Sequence, residues 1–95
     1  MNKSELIETM ARKIDVPVRD AAATIHTIIE TLSDTLAKGE SIEIRGFGSF
    51  VVKEYKSYTG RNPKTGEKIK VRPKKLPFFK VGKELRDQVN KSGQE

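Results

Sequence analysis

The residues with the most informative chemistry lie in one short stretch, residues 60–67, with the sequence GRNPKTGE. Asn-Pro and Thr-Gly are ordinary turn dipeptides, so the simplest interpretation of this stretch is a hairpin turn. Its neighbours are strongly cationic, however, and an antiparallel pair of strands can lie along a nucleic-acid groove with such a turn at its end. Arg61 and Asn62 would then reach base edges, and Pro63 would act as a rigid apolar wedge that has no N–H group to desolvate.

The basic excess of the chain is concentrated around this turn. The whole chain has 19 Lys and Arg against 13 Asp and Glu, a net charge of +6. Residues 53–86 hold twelve basic and three acidic residues, a net charge of +9, whereas residues 1–52 carry −2 and residues 87–95 carry −1. This concentration indicates a surface that meets a polyanion, with nucleic acid favoured. An anionic membrane is disfavoured because Gly and Pro interrupt the stretch and prevent an amphipathic helix.

The cations of this stretch are candidate phosphate contacts, since Lys and Arg supply most contacts to a nucleic-acid backbone. The candidates are Lys53, Lys56, Lys64, Lys68, Lys70, Arg72, Lys74 and Lys75.

Two helices are predicted in the N-terminal part of the chain. Asn2 and Glu5 have the spacing of a capping box, and apolar residues then recur at helical intervals over about residues 3–14. A second helix is predicted from Pro17 to a glycine stop at Gly39. The broad apolar faces of this helical hairpin must be covered by a sheet, by a second copy of the chain, or by both.

Beyond Gly39 the hydrophobic period changes from helix to strand. Residues 42–52 predict two antiparallel strands joined by a turn at Gly46-Phe47-Gly48. The second strand continues past its apolar part to the turn at residues 60–67, and a polar strand returns. We therefore predict a protruding two-stranded arm over about residues 53–75, too polar to be held by burial.

The C-terminal part is predicted to rejoin the body of the protein. Leu76, Phe78 and Phe79 are expected to return to the core. A short helix follows over about residues 82–89, and a polar tail begins at about Asn90. Residues 1–95 thus predict a single α+β domain without internal repeats.

Composition favours an oligomer without cofactors. With 95 residues, 35% hydrophobic content and a mean hydropathy of −0.60, one chain has little material for a core. The chain has no cysteine, which excludes a disulfide framework and fits a reducing cytoplasm. No apolar run approaches the roughly 20 residues that span a bilayer, and no signal pattern is present, so we expect a soluble intracellular protein.

Enzyme chemistry is not indicated. His26 is the only histidine and has no accompanying nucleophile motif, so we assign it a structural or solvent-facing place. Gly66 is followed by Glu67 rather than by the Lys-Ser/Thr of a phosphate-binding loop. Glu5 and Glu8 fit a helix surface and match no acid-base or metal pattern. We therefore expect no catalysis, no cofactor, no metal and no small-molecule substrate.

Three segments resemble the bacterial HU and integration host factor family of DNA-bending proteins. They are GFGSF at residues 46–50, GRNPKTG at residues 60–66 and FKVGK at residues 79–83, and the resemblance covers nearly the whole chain. It implies a helical hairpin, an antiparallel sheet extended into an arm and a short C-terminal helix, with two chains interlocked as a dimer. It also implies that the arms enter the minor groove of double-stranded DNA and bend it with little sequence preference, in the bacterial nucleoid.

The resemblance also implies individual roles. Pro63 would be the intercalating residue, with Arg61 and Asn62 in the groove. Flanking DNA would be met by body residues, and the dimer core would share three aromatic side chains, although the phenylalanines could instead form a base-stacking platform. The body residues are Lys3, Lys80, Lys83 and Arg86, and the core aromatics are Phe47, Phe50 and Phe79.

Two alternatives to a non-specific architectural protein stay open. Residues 42–50 and 82–87 resemble the beta subunits of integration host factor, in which Glu43 and Arg45 would help to read a base step. The chain could thus be one half of a site-specific heterodimer. A homodimer is the simpler hypothesis, because one chain suffices to build both halves. The second alternative is an RNA-binding or ribosome-associated module, which the turn motif disfavours.

Overall fold

The computed structural model of this protein describes residues 1–93. Within them the chain forms helices at both ends and antiparallel strands between, which confirms the predicted α+β class. The elements in order are α1 (Lys3–Ile14), α2 (Val18–Ala37), β1 (Ile42–Ile44), β2 (Gly48–Tyr55), β3 (Tyr58–Arg61), β4 (Lys68–Val71), β5 (Lys74–Val81) and α3 (Lys83–Gly93).

The helical hairpin begins and ends where its capping residues predict. The Asn2 side chain accepts from the Glu5 backbone N–H at 2.9 Å, and the Glu5 carboxylate accepts from the Asn2 N–H at 3.4 Å. Asp15 ends α1 in the left-handed conformation, with φ of 55°. Pro17 precedes the first residue of α2 and leaves its entry without a side-chain cap. The predicted helix bounds are therefore correct to within two residues.

A three-stranded antiparallel sheet follows, in the order β1-β2-β5. Gly46 forms the turn between β1 and β2, with φ of +86°, and a Cβ at this position would lie 2.6 Å from a Glu84 carboxylate oxygen. One face of the sheet lies towards α2, because Val52 and Pro77 share a depression with Leu36 and Ala37. The turn and strand pairs predicted over residues 42–52 are confirmed.

The aromatic residues divide between the two faces of this sheet. Phe79 packs against Phe47 and Phe50, with ring centroids 5.3 and 4.8 Å apart. Phe78, the residue before Phe79 in the same strand, points to the opposite face, where it is 42% exposed beneath the Lys53 ammonium group. The expectation that Leu76, Phe78 and Phe79 all return to the core is therefore wrong. Phe79 joins an aromatic cluster, whereas Leu76 and Phe78 lie on the opposite face of β5 and are 43% and 42% exposed.

The C-terminal helix is longer than its apolar pattern suggested. The Gly82 N–H donates to the Phe47 carbonyl at 2.9 Å and fixes the start of α3 beside the sheet. The helix then continues to Gly93, where a polar tail had been expected from about Asn90. The helix thus continues through the polar residues that follow Asn90. The last two positions of the predicted tail, 94 and 95, lie outside the described residues.

A single chain buries very little. The buried core consists of Ile7, Ala11, Ala21 and Ile25, all in the helical hairpin. The radius of gyration is 19.2 Å, whereas a compact chain of this length has about 12 Å. Many large apolar side chains in all parts of the fold are more than one-third exposed. The isolated chain is thus an open scaffold that carries a protruding arm.

Candidate nucleic-acid interface

The predicted arm is divided into two paired segments. Its base, residues 53–55 and 74–75, belongs to the body sheet, where the last cross-strand pair is Tyr55 with Lys74. Beyond this pair the ladder is interrupted, and β3 and β4 form a separate two-stranded sheet. We call residues 58–71 the outer arm. Two short connecting segments, residues 56–57 and 72–73, join it to the body sheet.

The outer arm has two chemically different faces. Its pairs are Tyr58 with Val71, Thr59 with Lys70, Gly60 with Ile69, and Arg61 with Lys68. Directly opposed residues of an antiparallel pair share a face, and successive residues alternate. One face therefore carries Arg61, Lys68 and Lys70, and the other carries a tyrosine and two aliphatic side chains.

The tip is a compact turn tied by its own polar groups. The Asn62 N–H donates to the Glu67 carbonyl at 2.8 Å, and the Gly66 N–H donates to the Asn62 carbonyl at 2.7 Å. The Asn62 side-chain oxygen accepts from the Lys64 N–H at 2.9 Å. Gly66 has φ of +75°, which favours glycine. Pro63 lies between these bonds and is exposed at the end of the arm.

Several cations at the base of the arm already have partners. The Lys53 ammonium nitrogen lies 3.5 Å from the centroid of the Phe78 ring, and the Lys74 nitrogen lies 5.9 Å from that of Tyr55. Lys75 forms an exposed ion pair with Glu54 at 3.5 Å. Such contacts are weak in water, so they orient these side chains but leave their charged groups available to bind a ligand.

The body candidates collect at the junction of the sheet and α3. Glu43, Arg45 and Lys80 line one shallow depression together with Gly82, the residue that precedes α3. Lys83 begins that helix and Arg86 follows one turn later, 3.8 Å from Asp87. The side chains proposed to read a base step thus lie beside those proposed to meet flanking DNA.

Lys3 stands apart from the other candidates. It begins α1 and borders a depression on α2 with His26 and Glu30. His26 is exposed there, consistent with a solvent-facing place.

Over residues 1–93 no group of three or more His, Asp or Glu side chains is placed to hold a metal ion. In the same part of the chain, the helices are too short or too polar to cross a membrane.

The family of the chain follows from comparison with known proteins. Residues 1–90 match the family described as bacterial DNA-binding protein. This chain belongs to that family. It is 50% identical over 93 residues to integration host factor subunit beta of Pseudoalteromonas translucida, covering 97% of this chain and 98% of that protein. It is also 47% identical over 90 residues to DNA-binding protein HU-beta of Pseudomonas aeruginosa, with 95% and 100% covered.

Solved structures have the same architecture. An HU protein of Anabaena, crystallised with DNA, superposes with a TM-score of 0.85 at 38% identity, covering 94% of this chain and 97% of that one. The HU protein of Thermotoga maritima gives 0.68 at 36% identity, with 94% and 98% covered. The predicted fold and function class, a DNA-binding architectural protein, are confirmed. Relatives of both the HU and the integration host factor type occur, so both non-specific binding and site-specific binding as part of a heterodimer remain open for this chain.

Two residues outside the predicted set of contacts also shape this surface. Tyr58 is not among those contacts, although a tyrosine in the arm can stack or hydrogen-bond along a DNA backbone, and it occupies the apolar face of the outer arm, where it is 60% exposed. Phe78 was assigned to the core, although its ring holds Lys53. Alternation along β3 indicates the face of Tyr58, whereas the face of Phe78 follows only from the register of β5 with β2.

Proposed function

We propose that this protein acts as a dimer that inserts two arms into the minor groove of duplex DNA and bends it with little sequence preference, on the chromosome in the bacterial cytoplasm. The observation that carries the proposal is the outer arm, a self-paired cationic sheet with an exposed proline at its tip. A rigid apolar ring at such a tip can enter between base steps and kink the duplex.

The bonds of the tip support the roles of its residues. Because the Asn62 oxygen is used within the turn, its amide nitrogen is the group left to bind DNA. That nitrogen can only donate, and the minor-groove floor of A·T pairs offers only acceptors. Arg61 is likewise a donor only. Both residues thus suit A·T-rich grooves, where the guanine amino group is absent.

The cations support backbone contact by two groups of residues. Those of the outer arm, Arg61, Lys64, Lys68 and Lys70, extend from a thin ribbon and can reach phosphates on either side of a groove. Those of the base, including Lys56 and Arg72, would continue the contact toward the body. We assign Lys80, Lys83, Arg86 and Lys3 to flanking DNA.

A second copy of the chain is the proposed cover for the apolar surfaces. Ile28 and Ile29 of α2 are 52% and 45% exposed, and Phe47 and Phe79 of the sheet are 43% and 36% exposed. Residues of this size remain exposed in one chain only at a substantial hydrophobic cost. Phe47, Phe50 and Phe79 form one packed cluster and would thereby join the dimer core.

One observation favours the alternative of a site-specific heterodimer. Glu43 and Arg45 are exposed on and beside β1, at the rim of a depression shared with Lys80. A carboxylate and a guanidinium on neighbouring exposed positions can together read base edges. In that case the chain would need a different subunit to complete its specific site.

The test is a chain without the outer arm. Tyr55 and Lys74 are opposed at the end of the body ladder, so replacing residues 56–73 by Asn-Gly closes a two-residue hairpin there. The variant should keep its helices by circular dichroism and bind duplex DNA at least tenfold more weakly, with no bending. A matched RNA duplex should bind the intact protein weakly, because its narrow major and shallow minor grooves differ in shape.

Undiminished DNA binding by the variant would exclude the arm as the main contact. Equal or tighter binding of the RNA duplex would instead favour the RNA-binding module.

A further inference from the structure

The outer arm carries an apolar strip that no other described part of the chain covers. Tyr58, Gly60, Ile69 and Val71 share one face, and Tyr58 and Ile69 are 60% and 45% exposed. Ring atoms of Tyr58 lie about 3.5 to 4 Å from the position of a Cβ on Gly60, and a Val71 methyl group lies 3.9 Å from it. The tyrosine ring therefore lies along the arm and covers the glycine.

This strip differs from the dimerisation surfaces of the body. It lies on a separate two-stranded sheet, beyond the interruption of the ladder. The opposite face of the same thin sheet is cationic and carries Arg61, Lys68 and Lys70. A partner that covers the strip must therefore offer apolar groups close to negative charge. A duplex groove meets both requirements, because phosphates line its edges and deoxyribose carbons line its walls.

We propose that Tyr58 is a further DNA-contacting residue, whose ring packs against deoxyribose in the wall of the minor groove. The inference rests on the proposed minor-groove binding and deepens it. The ring lies beside Gly60, and Val71 is the directly opposed residue on the paired strand. The strip faces the sugars while the cations of the other face reach phosphates.

A contact of this type has a distinctive dependence on salt. Phosphate contacts release counterions, so each contributes about 0.9 to the slope of log affinity against log salt concentration. Packing of an uncharged ring releases none. Tyr58 therefore contributes to affinity equally at low and high salt, unlike Lys70 on the opposite face.

Three substitutions separate these effects when affinity for a duplex is titrated against salt. Tyr58→Ala should lower the affinity about tenfold at every salt concentration, as expected for losing the burial of about half an aromatic side chain. Tyr58→Phe keeps the ring and should stay within about twofold of the wild type. Tyr58→Arg should steepen the slope by about 0.9, because it adds a phosphate contact.

A spectroscopic readout checks contact directly. The chain has two tyrosines and no tryptophan, so 3-fluorotyrosine labels the arm alone. The Tyr55→Phe variant assigns the resonance of Tyr58. That resonance should shift on addition of duplex DNA, and it should not change with protein concentration in the absence of DNA.

Wild-type affinity of Tyr58→Ala together with an unshifted fluorine resonance would overturn the inference and leave the proposed function intact. A concentration-dependent shift without DNA would also overturn it, in favour of a second copy as the occupant. A flatter slope of log affinity against log salt concentration for Tyr58→Ala would show that the substitution disrupts the arm and its phosphate contacts. In that case the fluorine spectrum of the wild type decides, and a Tyr58 resonance that does not shift on addition of DNA would overturn the contact. Failure of the wild type to bind the duplex would overturn the proposed function and this inference together.

Discussion

At the residue scale, Pro63 is the proposed site of bending and Lys64 a proposed phosphate contact. Pro63 carries no charge and sits in a turn whose hydrogen bonds are made by its neighbours Asn62, Gly66 and Glu67. Its removal therefore leaves the turn and all cations in place. Lys64, one residue further, offers the opposite change, since it can lose its charge without altering the proline.

Pro63→Ala is expected to reduce bending more than affinity. A methyl group cannot wedge between base steps, whereas the phosphate contacts persist, so affinity should change by less than about threefold. Energy transfer between dyes on the two DNA ends measures the bend in the bound state. Lys64→Gln is the matched control and should lower affinity while the bound duplex stays bent. An unchanged end-to-end distance with Pro63→Ala would refute the wedge.

Gly48 is required by a close approach inside the body. A Cβ there would lie 2.5 Å from the Lys80 carbonyl oxygen and from a Phe79 ring carbon. Gly48→Ala should therefore lower the free energy of unfolding by roughly 1–3 kcal/mol, the usual cost of overpacking. Gly60→Ala is the control, because its new Cβ would meet only ordinary contacts at 3.5 Å and beyond.

Denaturant titration at one fixed protein concentration compares the two variants. Equal stability of both would show that the Phe79 ring and β5 can move aside at little cost.

At the scale of elements, the outer arm is paired independently of the body sheet. β3 and β4 pair only with each other, and the chain crosses to them at residues 56–57 and 72–73. Periodicity and charge predicted an arm, because apolar alternation ends near residue 52 while turn chemistry recurs at residues 60–67. They could not predict the interruption, which depends on how the strands pair rather than on residue type.

The same limit explains the error at Phe78. The run KKLPFFKV is apolar at both of its central aromatic positions, so alternation does not decide which aromatic faces inward. The register with β2 decides it, by placing Phe79 opposite Phe50 and Phe78 opposite Val51. The extension of α3 to Gly93 was likewise missed, because polar residues carry no periodic pattern.

Lys70→Gln is expected to weaken binding to every duplex alike. Lys70 lies on the cationic face of the outer arm, where a phosphate contact contributes about 0.9 to the salt slope. Lys75→Gln should have an effect of about the same size, because its exposed ion pair with Glu54 is weak in water and leaves the ammonium group able to bind a phosphate. Affinities for A·T-rich and mixed duplexes over a range of salt test both. A loss confined to one sequence would assign Lys70 to base recognition instead.

At the scale of the whole molecule, the buried core of one chain is small. Among the described residues only four hydrophobic side chains are buried, too few to offset the conformational entropy of ordering the chain, so we expect further stability to come from burial against a partner chain. The hydrophobic content of 35% in a chain of 95 residues already predicted an oligomer. The sequence could not identify the proposed partner, because an HU-like homodimer and an integration-host-factor-like heterodimer would cover the same exposed faces.

Ile28→Glu is expected to disrupt the dimer. Ile28 is 52% exposed on α2 of the single chain, and a charge in a dimer core would be buried without a partner. Sedimentation should give twice the chain mass of 10.7 kDa for the wild type and a mass near 10.7 kDa for the variant. Ala23→Glu, about 140° away around the helix axis and exposed, should remain dimeric. A monomeric wild type would exclude the proposed homodimer.

The most direct test of the central claim is the end-to-end distance of dye-labelled duplexes bound by this protein alone. Random and A·T-rich sequences would be titrated over a range of salt, with affinity and distance read from the same samples. We expect the distance to shorten on every duplex, with a strong salt dependence and only a modest preference for A·T-rich DNA. Tight binding that leaves the duplex straight would contradict arm-driven bending, and bending that requires another subunit or one particular site would contradict a self-sufficient dimer.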